Sequence, residues 1–513
     1  MKKIKKAIVS VSDKKNLKFL LKTLSKHKIE IISSGGTFKE IKKLGFKCLE
    51  VSKFTGSKEI LSGRVKTLHP KIHSGILSKR NNKSHINDLK KNSYEEIDLV
   101  IVNFYPFENT LKNTSNHKKI IENIDIGGPT MVRSAAKNYN DVAVITNHIQ
   151  YQELSNELKL NKGCTTLNFR KRMSTLAFNE TAYYEAIISN YFNSHSKILF
   201  PEKKIFFGNL IENLRYGENP HQSAAIYSMN KELNLNQLNG KMLSYNNYND
   251  IFSALLISKS LPKNTGTVIL KHSNPCGVSI NSNNFKSYKL ALACDPISAF
   301  GGIVSCNYKI SKKIALELKK IFFEVIICKS IDNDALKILK IKKNLRIIDA
   351  SKFYNNNLQN ISSTSNNILI QTLDDFSFSK SNFKVVSKKK PNLQTFKSLI
   401  FAFNICRFVK SNAIVISNKD STIGIGSGQP SRLDSCEIAI NKMKKFHKKK
   451  LDNQIIAASD AFFPFVDGVE KLVQSGVSAI IQPYGSIRDK EIIKFANRTD
   501  TILVFSKTRH FKH

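Results

Sequence analysis

The sequence predicts an α/β protein with parallel sheet and more than one domain. Over the first 150 residues, short apolar runs alternate with amphipathic segments, the β–α order that lays helices over a parallel sheet. With 513 residues, the chain suffices for roughly two to four domains, each burying its own core. No stretch approaches the roughly 18 consecutive apolar residues of a membrane span, so 41% apolar content describes a globular chain.

Residues 7–11 read as the first strand, with Ser12 or Asp13 capping a helix over about 14–26. The apolar run stops at Asp13-Lys14-Lys15, too soon for a signal peptide. Residues 29–32 give a second strand. Ser33-Ser34-Gly35-Gly36-Thr37 then leads to a helix over about 38–44, ending at Gly45. A third strand covers 97–104. Pro129, behind Gly127-Gly128, opens a helix to about Asn138. Residues 142–145 form another strand and 165–192 read as helical. A linker is expected at 193–204, before a second region, 205–513, that again mixes strands and helices. The Asn/Ser-rich stretch 351–367 reads as a long loop or insertion. The lysine run 442–450, with Met443 and Phe446 at helical spacing, reads as a solvated helix face. No short internal repeat is visible.

Eighty-one Lys and Arg against 40 Asp and Glu give a net charge of +41. The excess is spread along the chain, is mostly Lys, and accompanies abundant Asn, Ile and Phe with no Trp. That is the mark of AT-rich codon usage more than of a nucleic-acid groove. Charge alone also fits a nucleic-acid-binding protein, but no RNP-type aromatic motif or helix-turn-helix pattern accompanies it. The eight cysteines include no C-x-x-C pair, so neither zinc ribbon nor redox dithiol is indicated, and their sparseness suits a reducing cytoplasm.

Two segments concentrate cations and proton-transferring groups. The first is Gly63-Arg64-Val65-Lys66-Thr67-Leu68-His69-Pro70. Near it in the β–α order, successive backbone N–H groups of Ser34, Gly35, Gly36 and Thr37 can cradle a phosphate. Ser12 and Lys14 lie at another strand end. Asn103, Tyr105 and Asp125, with Gly127 and Lys137 beyond, add an amide, a phenol, a carboxylate and an ammonium able to polarise a carbonyl and move protons. The second segment is Leu270-Lys271-His272-Ser273-Asn274-Pro275-Cys276-Gly277, a strand ending in a cation beside an imidazole. The zinc deaminase signature H-x-E with P-C-x-x-C is absent.

Runs in order along the chain resemble one family: ISSGGT, SGRVKTLHPKIHSGIL, NFYPF and DIGGPTMVRSAAKN first. They are followed by LKHSNPCG, DPISAFGG, VKSNA, GIGSGQPSR, SDAFFPF and TRHFKH. Together they are similar to the bifunctional purine-biosynthesis family that joins AICAR transformylase to IMP cyclohydrolase. The resemblance implies a methylglyoxal-synthase-like, Rossmann-type domain over 1–195. It implies a transformylase domain of two cytidine-deaminase-like halves over 196–513. It also implies that Ser12, Lys14, Ser34, Gly36, Thr37, Arg64, Thr67, Asn103 and Gly127 hold the nucleotide, with Lys66, Tyr105, Asp125 and Lys137 at the reacting groups. In the second domain it implies catalytic Lys271 and His272. Phosphate would go to Arg215 and Arg509, and the substrate pockets to Tyr216, Asn247, Phe300, Gly301, Glu324, Asn412, Arg432, Phe463 and Pro464. The expected ligands are AICAR, FAICAR, IMP and the co-substrate 10-formyltetrahydrofolate. The chain is expected to be a cytoplasmic homodimer that uses no metal, nucleic acid or membrane. Loss of one activity, or a purine-sensing module without turnover, would leave the same motifs in place.

Overall fold

The computed structural model describes residues 1–229, 232–353, 359–447 and 454–513. They form two compact units, 1–208 and 209–513.

The first unit is built on five parallel strands in the order Leu49–Glu50, Glu30–Ser33, Lys6–Val11, Leu99–Asn103, Ala143–Ile145. The chain starts at the centre, runs to one edge, then returns past the first strand to the other edge. This reversal puts a switch point between Lys6–Val11 and Leu99–Asn103, where open α/β sheets bind ligands at the carboxyl ends of their strands. Both strands are almost continuously apolar and buried, as burial on two faces requires.

Three local expectations change. The first helix, Leu17–Lys26, begins later than its candidate caps, because the Asp13 carboxylate accepts from the Lys15 N–H (2.9 Å) within a turn and Asn16 adopts φ 59°. The Gly-Gly segment is not a loop: it is the first turn of a helix, Gly35–Lys43. Residues 193–195 belong to the helix Leu167–His195, and the compact unit extends to Gly208.

The second unit holds a twelve-stranded mixed sheet. Its first half contains an edge strand, Asn236–Asn239, a helix, Tyr245–Ser260, and a hairpin, Gly266–Lys271 with Asn274–Ile280. Three parallel strands follow, Ile303–Ile310, Val325–Ile331 and Arg346–Asp349, separated and preceded by helices. The second half repeats this arrangement: edge strand Phe383–Val385, helix Leu393–Cys406, hairpin Ile414–Asn418 with Ser421–Gly426. Its parallel strands are Ile455–Ser459, Ala479–Pro483 and Ile502–Ser506. Even the bulge recurs, since each hairpin shifts register one strand-turn away from its tip. The halves join where Asn274–Ile280 pairs antiparallel with Ser421–Gly426. Between them, part of the expected loop 351–367 is instead a hairpin, Gln359–Thr364 with Asn367–Thr372, in which Ile361 faces Ile370. Residues 354–358 of that stretch lie outside the described residues. So do residues 448–450 of the lysine run. Within the run, Met443 is buried and Lys442 pairs with the buried Asp295 carboxylate at 2.9 Å.

One close approach recurs with the repeat. A Cβ added at Gly277 would lie 1.9 Å from the Ala291 carbonyl oxygen, and one at Gly424 would lie 2.2 Å from the Ala439 oxygen. Each half thus packs a helix directly onto its hairpin backbone. Gly277→Ala should cost about 1–3 kcal/mol through displacement of the helix Asn284–Cys294. Calorimetry would read this as a lowered transition for the second unit, and an unchanged transition would refute the packing argument.

Candidate active sites

In the first unit, a cavity of ≈ 610 Å³ lies at the switch point. Its floor comes from the end of the first strand, Ser10 to Ser12, and from Asn103. The Asn103 side-chain oxygen accepts from the Ser12 and Asp13 N–H groups (2.5 and 3.0 Å), and its amide donates to the Asp13 carbonyl (2.9 Å). Asn103 thus fixes the loop carrying Lys14.

One wall is the amino end of the helix Gly35–Lys43. Ser34 makes no side-chain cap, so its first N–H groups remain available to an anion. Thr37 anchors this turn through its hydroxyl, which accepts from Val11 N and donates to Val11 O (3.0 and 2.9 Å). Two ammonium groups flank the turn: a Cβ on Gly35 would lie 3.4 Å from Lys66 Nζ, and one on Gly36 would lie 3.9 Å from Lys14 Nζ. The opposite wall is the amino end of the helix Gly127–Lys137, where Thr67 approaches Gly127. Two of the cavity's cations, Lys66 and Arg64, are paired. Lys66 meets Glu59 at 3.1 Å, and Arg64 forms an ion pair with Glu122.

Asp125 is the group most changed by its surroundings. Burial pushes its carboxyl above the usual carboxylate range, opposed by hydrogen bonds from the Gly128 and Tyr105 backbone and by the Lys66 charge. The Gly128 N–H donates to it at 2.8 Å, and its own N–H donates to the Tyr184 hydroxyl at 2.9 Å. Burial in turn pushes the Tyr184 phenol up to about 12, so it stays a neutral brace.

Of the residues expected here, Ser12, Lys14, Ser34, Gly36, Thr37, Arg64, Lys66, Thr67, Asn103, Tyr105, Asp125 and Gly127 line the cavity. Lys137 does not. It is exposed on the last turn of its helix, about 15 Å along the axis from Gly127. Tyr184 and Glu122 had no signal in the sequence, because each acts through a partner distant in the chain, and Glu59, seven residues from Lys66, stands in no motif.

In the second unit, the expected residues gather along one end of the twelve-stranded sheet. His272 and Ser273 form the two-residue turn of the first hairpin, both left-handed (φ 52° and 58°). Such turns favour Asn and Gly, and holding other residues there costs roughly 1–2 kcal/mol each. Lys271 donates to the Phe300 carbonyl (2.8 Å), and the Phe300 ring packs on Phe322 with centroids 5.4 Å apart. Asn247 donates to Glu324 at 2.9 Å, and Arg346 faces Glu324 at 3.9 Å. Arg215 lies over the Tyr216 ring. Gly301, at φ 72°, turns the chain beneath Lys271.

The second half completes this edge. Asn274 accepts from the Lys410 N–H at 3.0 Å. Lys512 donates to the Ser273 and Phe408 carbonyls (3.3 and 2.9 Å), and burial draws its ammonium down to about 8. Asn412 donates to the Gln429 and Pro430 carbonyls and accepts from Arg432 at 2.8 Å.

Two residues expected at a ligand are placed otherwise. The Arg432 guanidinium is buried and committed to Asp460, to Ser459 at 2.7 Å and to Asn412. Phe463 is a core side chain, 1% exposed, packed against Gly468. Both hold the edge together from beneath. Pro464 and Arg509 are exposed there, Arg509 over the Phe511 ring. Another cavity of ≈ 460 Å³, beside Tyr248 and Asp349, takes in none of the expected residues. Among the described residues, no group of three or more His, Cys, Asp or Glu is placed to hold a metal ion. No helix among them is long and apolar enough to cross a membrane.

The fold and sites define a two-site α/β protein for small anionic ligands. One site is a phosphate cradle with a carboxyl and an ammonium facing it, and the other a lysine–histidine strand end. The AICARFT/IMPCHase bienzyme model matches residues 135–442, more than half of the chain, and an MGS-like domain model matches 16–130. Proteins named bifunctional purine biosynthesis protein PurH align throughout. That of Bradyrhizobium diazoefficiens is 43% identical over 100% of this chain and 99% of its own. That of Leptospira biflexa is 43% identical over 100% of both, and that of Acetivibrio thermocellus 41% identical over 99% and 100%. The chain belongs to the bifunctional AICARFT/IMPCHase family.

Asp125 also gives a pH prediction. Its raised carboxyl means that the folded state holds a proton the unfolded chain releases, so its contribution is present below the unfolded value and lost as pH rises through the folded one. Asp125→Asn should therefore gain in melting temperature over the parent as pH rises from 4 to 7, while losing activity. An equal difference at both pH values would refute the burial argument.

Proposed function

We propose that the two family activities are housed one per unit. The chain is a phosphoribosylaminoimidazolecarboxamide formyltransferase and IMP cyclohydrolase of purine biosynthesis. It transfers a formyl group from 10-formyltetrahydrofolate to AICAR, giving FAICAR, then closes FAICAR to IMP with loss of water.

Ring closure is assigned to the first unit. The observation that carries this is the cavity itself, with two ammoniums flanking an uncapped helix terminus at one wall and Asp125 at the other. The phosphate of FAICAR would take the helix terminus, Lys14 and Arg64, displacing Glu122. The carboxamide nitrogen attacks the formyl carbon, Lys66 stabilises the developing oxyanion, and Asp125, poised by burial, moves the proton that leaves with water.

Formyl transfer is assigned to the edge of the second unit. The exposed, packed rings of Phe300 and Phe322 beside Lys271 suit a flat folate. When bound, the folate supplies the formyl group. His272 takes the proton from the weakly nucleophilic 5-amino group of AICAR, Lys271 supplies positive charge at the formyl oxygen, and as the bond from the formyl carbon to N10 breaks, the proton passes to N10 and tetrahydrofolate leaves. Arg215 and Arg509 would hold phosphate, and Asn247 with Glu324 the base. The buried Arg432–Asp460 pair favours a supporting role for Arg432 and Asn412.

In separate assays, Lys66→Ala should slow FAICAR cyclisation about 10²–10³-fold and spare formyl transfer. His272→Ala should do the reverse, by about 10²–10⁴-fold. Either variant slowing the other reaction instead would overturn the division.

A cytoplasmic homodimer is part of this reading. Phe465, Tyr484 and Ile487 are exposed near the same sheet end, apolar side chains that a second copy would cover. Light scattering should give about twice the 58.0 kDa chain mass. A monomer at micromolar concentration would exclude the dimer.

A further inference from the structure

The turn bearing His272 is held by a residue that no catalytic motif contains. Asp250 lies in the second turn of the helix Tyr245–Ser260. Its Oδ1 accepts from the Ser273 backbone N–H at 2.7 Å and from the Ser273 hydroxyl at 3.2 Å, and the carboxylate also faces the His272 N–H. From the other side, Lys512 donates to the Ser273 carbonyl. Both polar groups of the Ser273 backbone are thereby engaged at a residue that resists its own left-handed conformation.

The repeat supplies an internal comparison. The turn Lys419–Asp420 of the second hairpin lies 147 positions beyond His272–Ser273, the same spacing that separates Gly277 from Gly424. At that spacing Asp250 corresponds to Lys397, which interacts with Asp420 of the turn with the opposite sign. There only Lys419 is left-handed (φ 51°). The fold therefore builds this hairpin without a carboxylate on the helix. The carboxylate and the second left-handed residue occur together, and only in the copy that carries the lysine–histidine pair.

We propose that Asp250 is a positioning residue for formyl transfer, its carboxylate clamping the His272–Ser273 turn in the doubly left-handed form that places the imidazole. The inference rests on the assignment of His272 as the proton acceptor. It follows that glycine at position 273 should substitute for the clamp, since glycine takes positive φ without the steric cost.

The test is formyl transfer by the full-length chain, with kcat and the KM values for AICAR and 10-formyltetrahydrofolate measured separately. Asp250→Ala should lower kcat about 10–100-fold with both KM values within about twofold, as expected when a reacting group is misplaced by about 1 Å. Adding Ser273→Gly to Asp250→Ala should recover about tenfold or more of the loss. Asp250→Asn keeps an oxygen acceptor for the Ser273 N–H, so its loss should be smaller. It carries the same rescue test if the alanine variant does not fold. A wild-type kcat in Asp250→Ala, or no recovery with Ser273→Gly in either background, would overturn the proposal. If His272→Ala is inactive while Asp250→Ala is normal, only this inference falls. If His272→Ala is normal, the assignment beneath it falls as well.

Discussion

The arrangement of the second unit depends on one strand pairing, the antiparallel seam between Asn274–Ile280 and Ser421–Gly426. Its centre is held by a side chain. The buried Thr422 hydroxyl accepts from Val278 N at 2.9 Å and donates to Val278 O at 3.3 Å, and Ile280 N reaches the Asp420 carbonyl at 2.8 Å. A buried donor left unpaired there would cost roughly 1–3 kcal/mol. Because the seam is antiparallel, the two hairpin tips lie at opposite ends of the sheet. One tip, His272–Ser273, meets the terminal segment through Lys512, and Asn274 beside it meets Lys410. The other tip meets the opposite ends of the strands. A symmetric scaffold thus acquires an asymmetric site: Lys512 and Lys410 reach Ser273 and Asn274 across the halves, while Arg432, Asp460 and Ser411 brace the second-half loops behind them.

The first unit sets a different problem, that of gathering several cations around one cavity. Lys66 and Arg64 are met by Glu59 and Glu122. Exposed pairs of this kind contribute roughly 0–1 kcal/mol, so on the proposed reading a doubly charged phosphate seated on the helix terminus would replace them at little cost. Asp125 differs, because its half-buried carboxyl accepts from the Gly128 N–H while its own N–H is held by the Tyr184 hydroxyl, and burial raises its affinity for a proton against the Lys66 charge. On the proposed reading, the site combines weakly held charge where the ligand binds with a partly desolvated carboxyl where a proton moves.

Much of this was legible in the sequence, for identifiable reasons. The parallel strands of the first unit are continuous apolar runs with turn residues at their ends, so both they and the cavity at their carboxyl edge could be read. The Lys271-His272 strand end was equally clear. The ten-element repeat was hidden because packing constrains volume and polarity, not identity: Gly277 and Gly424 share a close contact while their neighbours differ. Arg432 and Phe463 stand in recognisable motifs, yet burial, which no local pattern states, makes the first an ion-pair partner and the second a core ring. Asp250 and Tyr184 act through backbone groups far away in sequence, and single residues on helices carry no mark of that. Lys137 shows the converse, for a motif gives its spacing from Asp125 but not the direction in which the helix carries it.

Joining the two chemistries in one chain has a thermodynamic rationale that needs no passage between the units. The 5-amino group of AICAR is a poor nucleophile because its lone pair is delocalised into the ring and carboxamide, so its formylation is weakly driven. Ring closure expels water and completes an aromatic purine, so it is strongly driven. The formylated intermediate stays scarce only if the second reaction outruns reversal of the first. A single polypeptide fixes the ratio of the two sites at one to one whatever the expression level. A steady pull on an unfavourable first step is then secured by stoichiometry, with each site free to meet its own geometric demands: a cavity at a sheet switch point in one unit and a braced hairpin turn in the other.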